Sequence, residues 1–348
     1  FDSVEGDARL DREAGPNSRV SLFYSLSRQR IDAFQFVAGQ NPDNEIHAHI
    51  ARIAYRHAIS PVTDLEVGFG FQRAKSVLLP ESNAVGPRVR IGHQIEELGP
   101  DSQYPIDRAE NTFRGGALVR HRSHGDRHQV TLGGDLSRFQ LNGIETSNQR
   151  GEFQFSNNFG RTAIENFLHG VSSQYEVTVG ELARGFRNTS ASVFFGDLWR
   201  LHPRFQIYMG LRYELETAPV EVNGMDRIPY GCDCNNFGPR FSFTYRTGID
   251  WVARGSYTVS FGRIPPVTYQ QVRNNPPHVR YIQIQDPLFA DPLKGMDLNP
   301  QGRYSPLVLS PDLVSPYAHQ YNFSLEREVF RNSLLRLGYL GSRTLKTI

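Results

Sequence analysis

The sequence predicts an all-β fold, an antiparallel transmembrane β-barrel whose strands alternate in polarity. Apolar and polar residues alternate along many stretches of the chain, which is the two-residue period of a strand. Connections at one end of these stretches are short, at 60–63, 123–126, 202–204, 247–250 and 329–332. Connections at the other end are long, at 29–45, 74–112, 139–187, 217–238 and 263–318. Short turns at one rim and long loops at the other are typical of outer-membrane barrels, whereas soluble sandwiches carry loops at both ends.

Composition is compatible with this prediction. The 348 residues carry 38 basic and 36 acidic side chains, a balance that argues against a nucleic-acid partner. Mean hydropathy is −0.46, and no stretch approaches the roughly 18 apolar residues that a membrane helix needs. A barrel distributes its apolar residues by alternation, so a low mean hydropathy does not exclude a membrane. The 23 Phe, 15 Tyr and 31 Gly favour strands over helices.

The first predicted strands differ in how clearly their two faces separate. In 20–26 and 65–72, one face is apolar and the other is mainly polar or glycine. The apolar sets are Val20, Leu22, Tyr24 and Leu26, then Leu65, Val67, Phe69 and Phe71. In 46–60, Arg52 and Arg56 continue the face of Ile46, Ala48 and Ile50. A bulge that shifts the phase is one explanation, and a misassigned strand is another.

The later hairpins have the clearest pattern. Hairpins are predicted at 113–138, 189–215 and 239–262, and a last one includes 321–339. Arg212 and Glu214 would be costly toward lipid, so the apolar face of their strand must be the outer one. Asp197 interrupts an apolar face and therefore requires a position near the membrane interface. The total is about eleven strands, roughly half of a 22-stranded barrel.

Aromatic residues flank the short turns, and these are Trp199, Phe205, Trp251 and Phe330. They are typical of an interfacial girdle, although core aromatics of a soluble sheet are an alternative. Segment 162–170 predicts a short helix in an outer loop, because Thr162 and Glu165 have capping-box spacing and Gly170 follows.

Catalytic motifs are missing from the sequence, which predicts a protein that is not an enzyme and has no cofactor. There is no Gly-x-Ser-x-Gly, His-Glu-x-x-His or P-loop pattern. Two histidine groups could in principle hold a metal, but positions in a polar lumen, a loop or a solvent-exposed turn are the favoured interpretation. These groups are His47, His49 and His57, and His121, His124 and His128. Acidic residues Asp286, Asp291, Asp297 and Asp312 are too irregularly spaced for a calcium loop.

Two further features leave alternatives open. Cys232 and Cys234 are separated by one residue, so a direct bridge or two free thiols are favoured over a metal site. In the long proline-rich segment 263–318, four aromatic residues could stack on a ligand or simply pack the loop, and packing is favoured. The four are Tyr269, Tyr281, Phe289 and Tyr304.

Several segments together resemble TonB-dependent outer-membrane receptors of the Oar-like branch, whose members usually carry a carboxypeptidase-regulatory-like domain. They are 197–204 (DLWRLHPR), 209–214 (MGLRYE), 235–241 (NNFGPRF), 254–257 (RGSY), 320–328 (QYNFSLERE) and 337–343 (LGYLGSR). Their order matches the family, and they cover roughly residues 150–348. Before residue 150 only the strand pattern matches.

The resemblance implies a receptor of the cell outer membrane. It implies that residues 1–348 form one fragment of a 22-stranded barrel, with the plug domain and the remaining strands outside this chain. The expected partners are outer-membrane lipid, a small solute or peptide ligand, and the inner-membrane protein TonB, which a separate N-terminal segment would contact. Solute uptake is then the expected function, and the identity of the solute is left open.

Two other functions are kept as hypotheses. The first is an outer-membrane barrel that serves adhesion or structure without transport. The second is a soluble all-β carbohydrate-binding module or a glycosidase, for which paired carboxyls would be needed. Glu152, Glu165, Glu214 and Glu326 are available in number, but the sequence does not pair them.

Overall fold

The computed structural model describes the chain except residues 36, 38–40, 82, 83, 85, 93, 94, 146, 147, 249, 296–305, 331 and 332. Its described part is mostly β-strand. In chain order the strands are β1 (Asp2–Gly15), β2 (Ser18–Ile31), β3 (Asp43–Ser60), β4 (Thr63–Leu79), β5 (Arg88–Ile91), β6 (Ile95–Leu98), β7 (Ile106–Arg122), β8 (His128–Ile144) and β9 (Glu152–Phe155). They continue with β10 (Gln174–Gly180), β11 (Ala183–His202), β12 (Phe205–Glu216), β13 (Val220–Glu221), β14 (Asp233–Arg246), β15 (Trp251–Phe261), β16 (Val279–Gln285), β17 (Tyr317–Phe330) and β18 (Ser333–Leu345).

Twelve strands form one continuous antiparallel path, in the order β1-β2-β3-β4-β7-β8-β11-β12-β14-β15-β17-β18. The short β13 pairs with β11 beside this path. The antiparallel all-β prediction is therefore confirmed, with twelve strands in place of about eleven. The additional strand is β1, which the sequence did not predict because Val4 and Leu10 are the only large apolar residues on its outer face. Among the described strands, β1 and β18 end the path and each pairs on one side only.

The connections of this main sheet differ in length at its two rims, as predicted. At one rim the connections are short. Strand β1 ends at Gly15 and β2 begins at Ser18, β3 ends at Ser60 and β4 begins at Thr63, and β11 ends at His202 and β12 begins at Phe205. A 3-10 turn, His124–Asp126, makes another of these short connections. At the other rim, long segments join β2 to β3, β4 to β7, β8 to β11, β12 to β14 and β15 to β17. Arg331 and Asn332, predicted in the last short turn, lie outside the described residues.

The two faces of the main sheet separate as the alternation predicts. Leu132, Leu211 and Phe69 lie on a face that we call the outer face, with 57%, 46% and 52% of their surface exposed. No second protein layer buries these three apolar side chains. Neighbouring residues such as Arg212 lie on the opposite face, which we call the inner face. No helix in the described residues combines the length and hydropathy required for crossing a membrane.

Strand β3 corrects the expectation of a bulge within 46–60. Its pairing with β4 is regular from Asp43 to Ala58, and the register shifts only next to Ser60. Ile50, Arg52 and Ala54 therefore do share a face, and they line the inner recess. The arginines are placed there because the inner face is polar, so no change of phase is required.

Three of the connections that the sequence predicted only as long loops form a second sheet. It has five strands in the order β16-β10-β9-β5-β6, and β5 runs parallel to β9. A short helix, α1 (Ala163–Leu168), packs beside it. Its hydrophobic core contains Ile91, Phe153, Phe155, Ala163, Tyr175, Val177 and Ile282. We call this unit the rim sheet, since its strands all come from the long-connection side.

Helix α1 confirms the predicted capping box. The Thr162 backbone N–H donates to Glu165 Oε2 at 2.8 Å, and the Glu165 N–H donates to Thr162 Oγ1 at 3.3 Å. Gly170 follows with a φ of +67°, a conformation that glycine adopts without steric cost. The Thr162 hydroxyl also donates to Glu165 Oε2, at 2.9 Å, and the two hydrogen bonds from the Thr162 backbone and hydroxyl lower the pKa of the Glu165 carboxyl below its ordinary value.

Candidate functional site

A charged cluster lies in the middle of the inner face, centred on Asp135. The Arg114 guanidinium lies 3.3 Å from Asp135 Oδ1, and that of Arg212 lies 3.2 Å from Oδ2. Ser192 Oγ donates to the same carboxylate at 2.7 Å, and Glu214 forms an ion pair with Arg212. A guanidinium that is paired with a carboxylate can exchange that carboxylate for the oxygen atoms of a ligand. We call this set the inner cluster.

Strand pairing explains why these side chains meet. Asp135 on β8 pairs with Gly116 on β7 and with Ser192 on β11. Because side chains on one face repeat every second residue, Arg114 and Arg212 point to the same side as Asp135. The cluster lines a recess of about 850 Å³ on the inner face.

The long-connection end of this recess is covered by a hydrophobic cluster. Leu141 of β8 and Phe186 of β11 face inward and contact residues of two long connections. A second short helix, α2 (Pro266–Gln270), supplies Tyr269, which is 3% exposed, and a 3-10 turn follows at Gln271–Asn274. Burial raises the pKa of the Tyr269 hydroxyl to about 12. The covering residues are Tyr230, Ile264, Tyr269 and Val272.

A buried ion pair fixes this cover to the main sheet. Arg184 Nε of β11 donates to Asp226 Oδ2 at 2.5 Å, and both side chains are nearly inaccessible to solvent. Arg184 also donates to the carbonyl of Glu181 at 2.6 Å. A buried charge without its partner is strongly destabilising, so this pair holds residues near 226 in one position.

Arg263 connects the cover with the recess. Its guanidinium carbon lies 3.4 Å from the centre of the Phe139 ring, and its Nε lies 3.3 Å from Glu216 Oε1. Asn188 donates to the same carboxylate oxygen at 2.7 Å. Polar groups therefore continue from the inner cluster to the underside of the cover.

The histidines predicted in the lumen or in loops lie elsewhere. His49 and His57 lie on the outer face, where their Nδ1 atoms are 2.9 Å from Tyr24 Oη and 2.8 Å from Ser18 Oγ respectively. His47 follows the same alternation and lies 3.0 Å from Glu45. The expectation of a lumenal position is therefore wrong, because these odd-numbered positions of β3 alternate with the inner-face arginines.

The second histidine group does not converge. His121 Nδ1 lies 2.9 Å from Thr63 Oγ1, whereas His128 Nδ1 lies 2.7 Å from Asp197 and its ring stacks on Trp199. Asp197 therefore lies near a short turn, which is the kind of position that its interruption of an apolar face required. Within the described residues, no group of three or more acidic, histidine or cysteine side chains could hold a metal ion.

The remaining candidates mainly have structural positions. Cys232 and Cys234 form a disulfide with their Cα atoms 5.5 Å apart. Tyr269 is buried in the cover, and Phe289 packs 4.8 Å from Phe153 in the rim sheet. Tyr281 is 50% exposed on β16. Tyr304 and Asp297 lie outside the described residues.

Sequence comparison assigns the fold to a family. The profile of the outer-membrane β-barrel domain family matches residues 1–228 and 223–348. The chain belongs to this outer-membrane β-barrel family. Its outward apolar face and its uneven rims have a direct explanation in that setting, because the outer face of such a barrel contacts lipid. The protein is therefore located in the outer membrane.

Solved structures of outer-membrane transporters share the fold of this β-barrel domain. YddB from Escherichia coli matches 97% of this chain with a TM-score of 0.61 at 12% identity, and the ferric-catecholate import receptor Fiu from E. coli matches 98% with 0.57 at 11%. The siderophore receptor PirA from Acinetobacter baumannii matches 98% with 0.56 at 10%. The chain covers 39%, 51% and 43% of those three chains. No curated protein sequence gives a significant match.

Sequence reasoning identified the inner-face positions but not the sites they form. The alternation places Arg212 and Glu214 opposite the apolar residues of their strand, and the pairing of β7, β8, β11 and β12 brings them together with Asp135 and Arg114. The Arg184–Asp226 pair had no comparable signal, because Asp226 lies in a connection without period. The cover and the rim sheet also depend on contacts between segments far apart in the sequence.

Proposed function

We propose that this chain forms part of the wall of a TonB-dependent outer-membrane receptor that takes up a solute. The observation that carries the proposal is the inner cluster at Asp135, which lines a recess beneath a fixed cover. The fold shared with named transporters and the Oar-like sequence segments support the same assignment. The proposal includes a plug domain and further barrel strands in the complete receptor, and it assigns no catalytic residue or cofactor to this chain.

In this role the inner face provides a polar path. Arg114 and Arg212 offer donors to carboxylate, phosphate or hydroxyl oxygens of a solute, while Asp135 and Glu214 keep the guanidiniums oriented. The cover reduces the opening at the long-connection rim. TonB, acting through the plug, would supply the energy for release. Siderophores, oligosaccharides, peptides and cobalamin-like compounds are all within this chemistry.

Uptake by whole cells tests the proposal. A strain lacking the gene and a complemented strain are supplied with a panel of these solutes, and depletion from the medium is measured by mass spectrometry. We expect one class to be depleted only by the complemented strain and only when TonB is present. The variant Asp135→Asn/Arg212→Gln should reduce that uptake about tenfold or more, whereas the outer-face variant Leu132→Val should not.

An adhesion role has one observation in its favour. The rim sheet presents apolar side chains outward, including Leu168 and Leu288 with exposures of 75% and 62%. Such side chains are suited to contact with another surface. The variant Leu168→Ser/Leu288→Ser discriminates between the two functions. Lost cell adhesion with full uptake of every solute would favour adhesion, and lost uptake would favour the receptor.

A further inference from the structure

The outer face becomes basic where several strands leave the apolar region. On β4 the outward residues Leu65, Val67, Phe69 and Phe71 are followed by Arg73 and Lys75. On β2, Leu26 is followed by Arg28 and Arg30 at the same alternation. Arg138 of β8 and Arg187 of β11 continue the outer face beyond Leu136 and Ala191.

Strand pairing makes these positions contiguous. Direct partners link His49 to Arg73, Arg73 to Asn111, Asn111 to Gln140, and Gln140 to Arg187. One step nearer to the long connections, Arg28 pairs with His47 and His47 pairs with Lys75. The basic residues therefore lie along one stretch of surface that crosses β2, β3, β4, β7, β8 and β11. We call it the basic belt, consisting of Arg28, Arg30, Arg73, Lys75, Arg138 and Arg187.

Three of the six basic side chains in the belt donate hydrogen bonds to neutral side chains. Arg73 donates to Asn111 Oδ1 at 2.9 Å, Arg138 to Thr189 Oγ1 at 2.7 Å, and Arg187 to Asn142 Oδ1 at 2.7 Å. These amides and the hydroxyl orient the guanidiniums without neutralising them. Carboxylates accompany other members of the belt: Glu45 lies beside Arg28, Asp107 lies 3.3 Å from Lys75, and Asp2 is the strand partner of Arg30.

The belt lies where the strands leave the membrane on the long-connection side. Strand β4 has 17 residues and β11 has 20, whereas about 9–11 residues cross a bilayer. Long connections of such barrels lie outside the cell, so the belt faces the head groups of the outer leaflet. At the same end of β12, β14, β15 and β17 the outer face instead carries Tyr213, Phe237, Phe261 and Tyr317.

We propose that the basic belt binds the phosphorylated head groups of lipids in the outer leaflet. The acyl chains would lie against the apolar outer face, where Phe71 and Phe113 pack with ring centres 5.0 Å apart. The phosphates would then meet the guanidiniums of Arg73, Arg138 and Arg187, whose planar donors match phosphate oxygens. Continuity with the lipid-facing surface selects a lipid as the occupant, because a free anion would gain nothing from the adjacent apolar band.

Native mass spectrometry of the purified protein in detergent tests the proposal. The probes are phosphatidic acid and phosphatidylcholine with identical acyl chains, and inorganic phosphate serves as competitor. We expect phosphatidic acid to bind at least about tenfold more tightly than phosphatidylcholine, and an excess of inorganic phosphate to leave most of the lipid bound. The variant Arg73→Gln/Arg138→Gln/Arg187→Gln should lose that preference.

Two control variants separate charge from folding. Arg73→Lys/Arg138→Lys/Arg187→Lys retains the positive charges and should keep most of the preference. Arg52→Gln/Arg120→Gln/Arg240→Gln removes the same number of charges from the inner face and should bind as the unmodified protein does. Equal binding of the two lipids, an unchanged preference in the glutamine variant of the belt, or full displacement by inorganic phosphate would each overturn the proposal.

Discussion

Tyr208 explains why two inner-face positions of the main sheet carry glycine. Its side chain lies against Gly196 of β11 and Gly210 of β12. A Cβ atom added to Gly196 would lie 2.8 Å from Tyr208 Cζ, and one added to Gly210 would lie 2.9 Å from Tyr208 Oη. Such distances are shorter than real carbon contacts, so any larger residue must displace the ring.

We predict that Gly196→Ala lowers the free energy of unfolding by about 1–3 kcal/mol, because overpacking forces the ring or the strands to move. Urea unfolding in lipid vesicles, followed by tryptophan fluorescence, measures the change. Gly6→Ala on β1 is the matched control, since a Cβ there has nothing within 4 Å. Equal effects at both positions would contradict the role given to Tyr208.

The ion pair of Arg184 and Asp226 leads to a second prediction for single residues. Asp226→Ala leaves a guanidinium that is 0% exposed without its counter-charge. We expect a loss of about 3–5 kcal/mol in the stability of the cover, and faster proteolysis between residues 222 and 232. The double variant Arg184→Met/Asp226→Leu removes both charges and should restore most of the resistance. Equal proteolysis of both variants would contradict this explanation.

At the scale of elements, helix α1 should depend on pH through its capping box. The Thr162 backbone and hydroxyl hold the pKa of Glu165 below the ordinary value of 4.5. A carboxyl with a lowered pKa in the folded state stabilises the fold above its ordinary pKa. This contribution is lost as the pH falls through the lowered value.

Hydrogen exchange of the α1 amides between pH 6 and pH 3, corrected for intrinsic rates, measures this dependence. We expect protection to fall at the acidic end in the unmodified protein. Glu165→Gln should show a flatter profile, because its amide does not titrate. An identical pH profile for both proteins would show that the carboxylate does not stabilise the helix.

The rim sheet should lose its structure independently of the main sheet. Phe155 is 0% exposed at the centre of its core and contacts Phe167 with ring centres 5.3 Å apart. Phe155→Ala should cost about 3–5 kcal/mol, which is comparable to the stability of a small unit. We expect loss of exchange protection in β9, β10 and β16, with β8 and β12 unchanged. Phe159→Ala, at a site 51% exposed, should leave protection unchanged in all of these strands.

At the scale of the whole molecule, contact with lipid should make the two faces of the main sheet respond differently to charge. Phe69→Arg places a cation in the apolar band and should cost about 2–4 kcal/mol if it lies near the bilayer centre. Gln72→Arg on the inner face of the same strand should cost far less. Vesicle insertion and urea unfolding of both variants measure the difference. Similar costs would argue against a lipid-facing outer surface.

Alternation is a local property, so the sequence determined much of the main sheet by itself. It predicted the antiparallel strands, the faces of Phe69 and Leu211, the uneven rims and helix α1. It missed β1, whose outward face carries only two large apolar residues, Val4 and Leu10. It also assigned a bulge to β3 as one option, because inner-face arginines interrupt an otherwise apolar set.

Only the tertiary structure decided which distant groups meet. The rim sheet joins segments from three connections, and Arg184 meets Asp226 across 42 residues. The inner cluster required the register of four strands, since alternation gives the face of a side chain but not its neighbour. A two-residue period is encoded within each strand. Contacts between segments far apart in the sequence depend instead on the positions that those segments take in the assembled sheet.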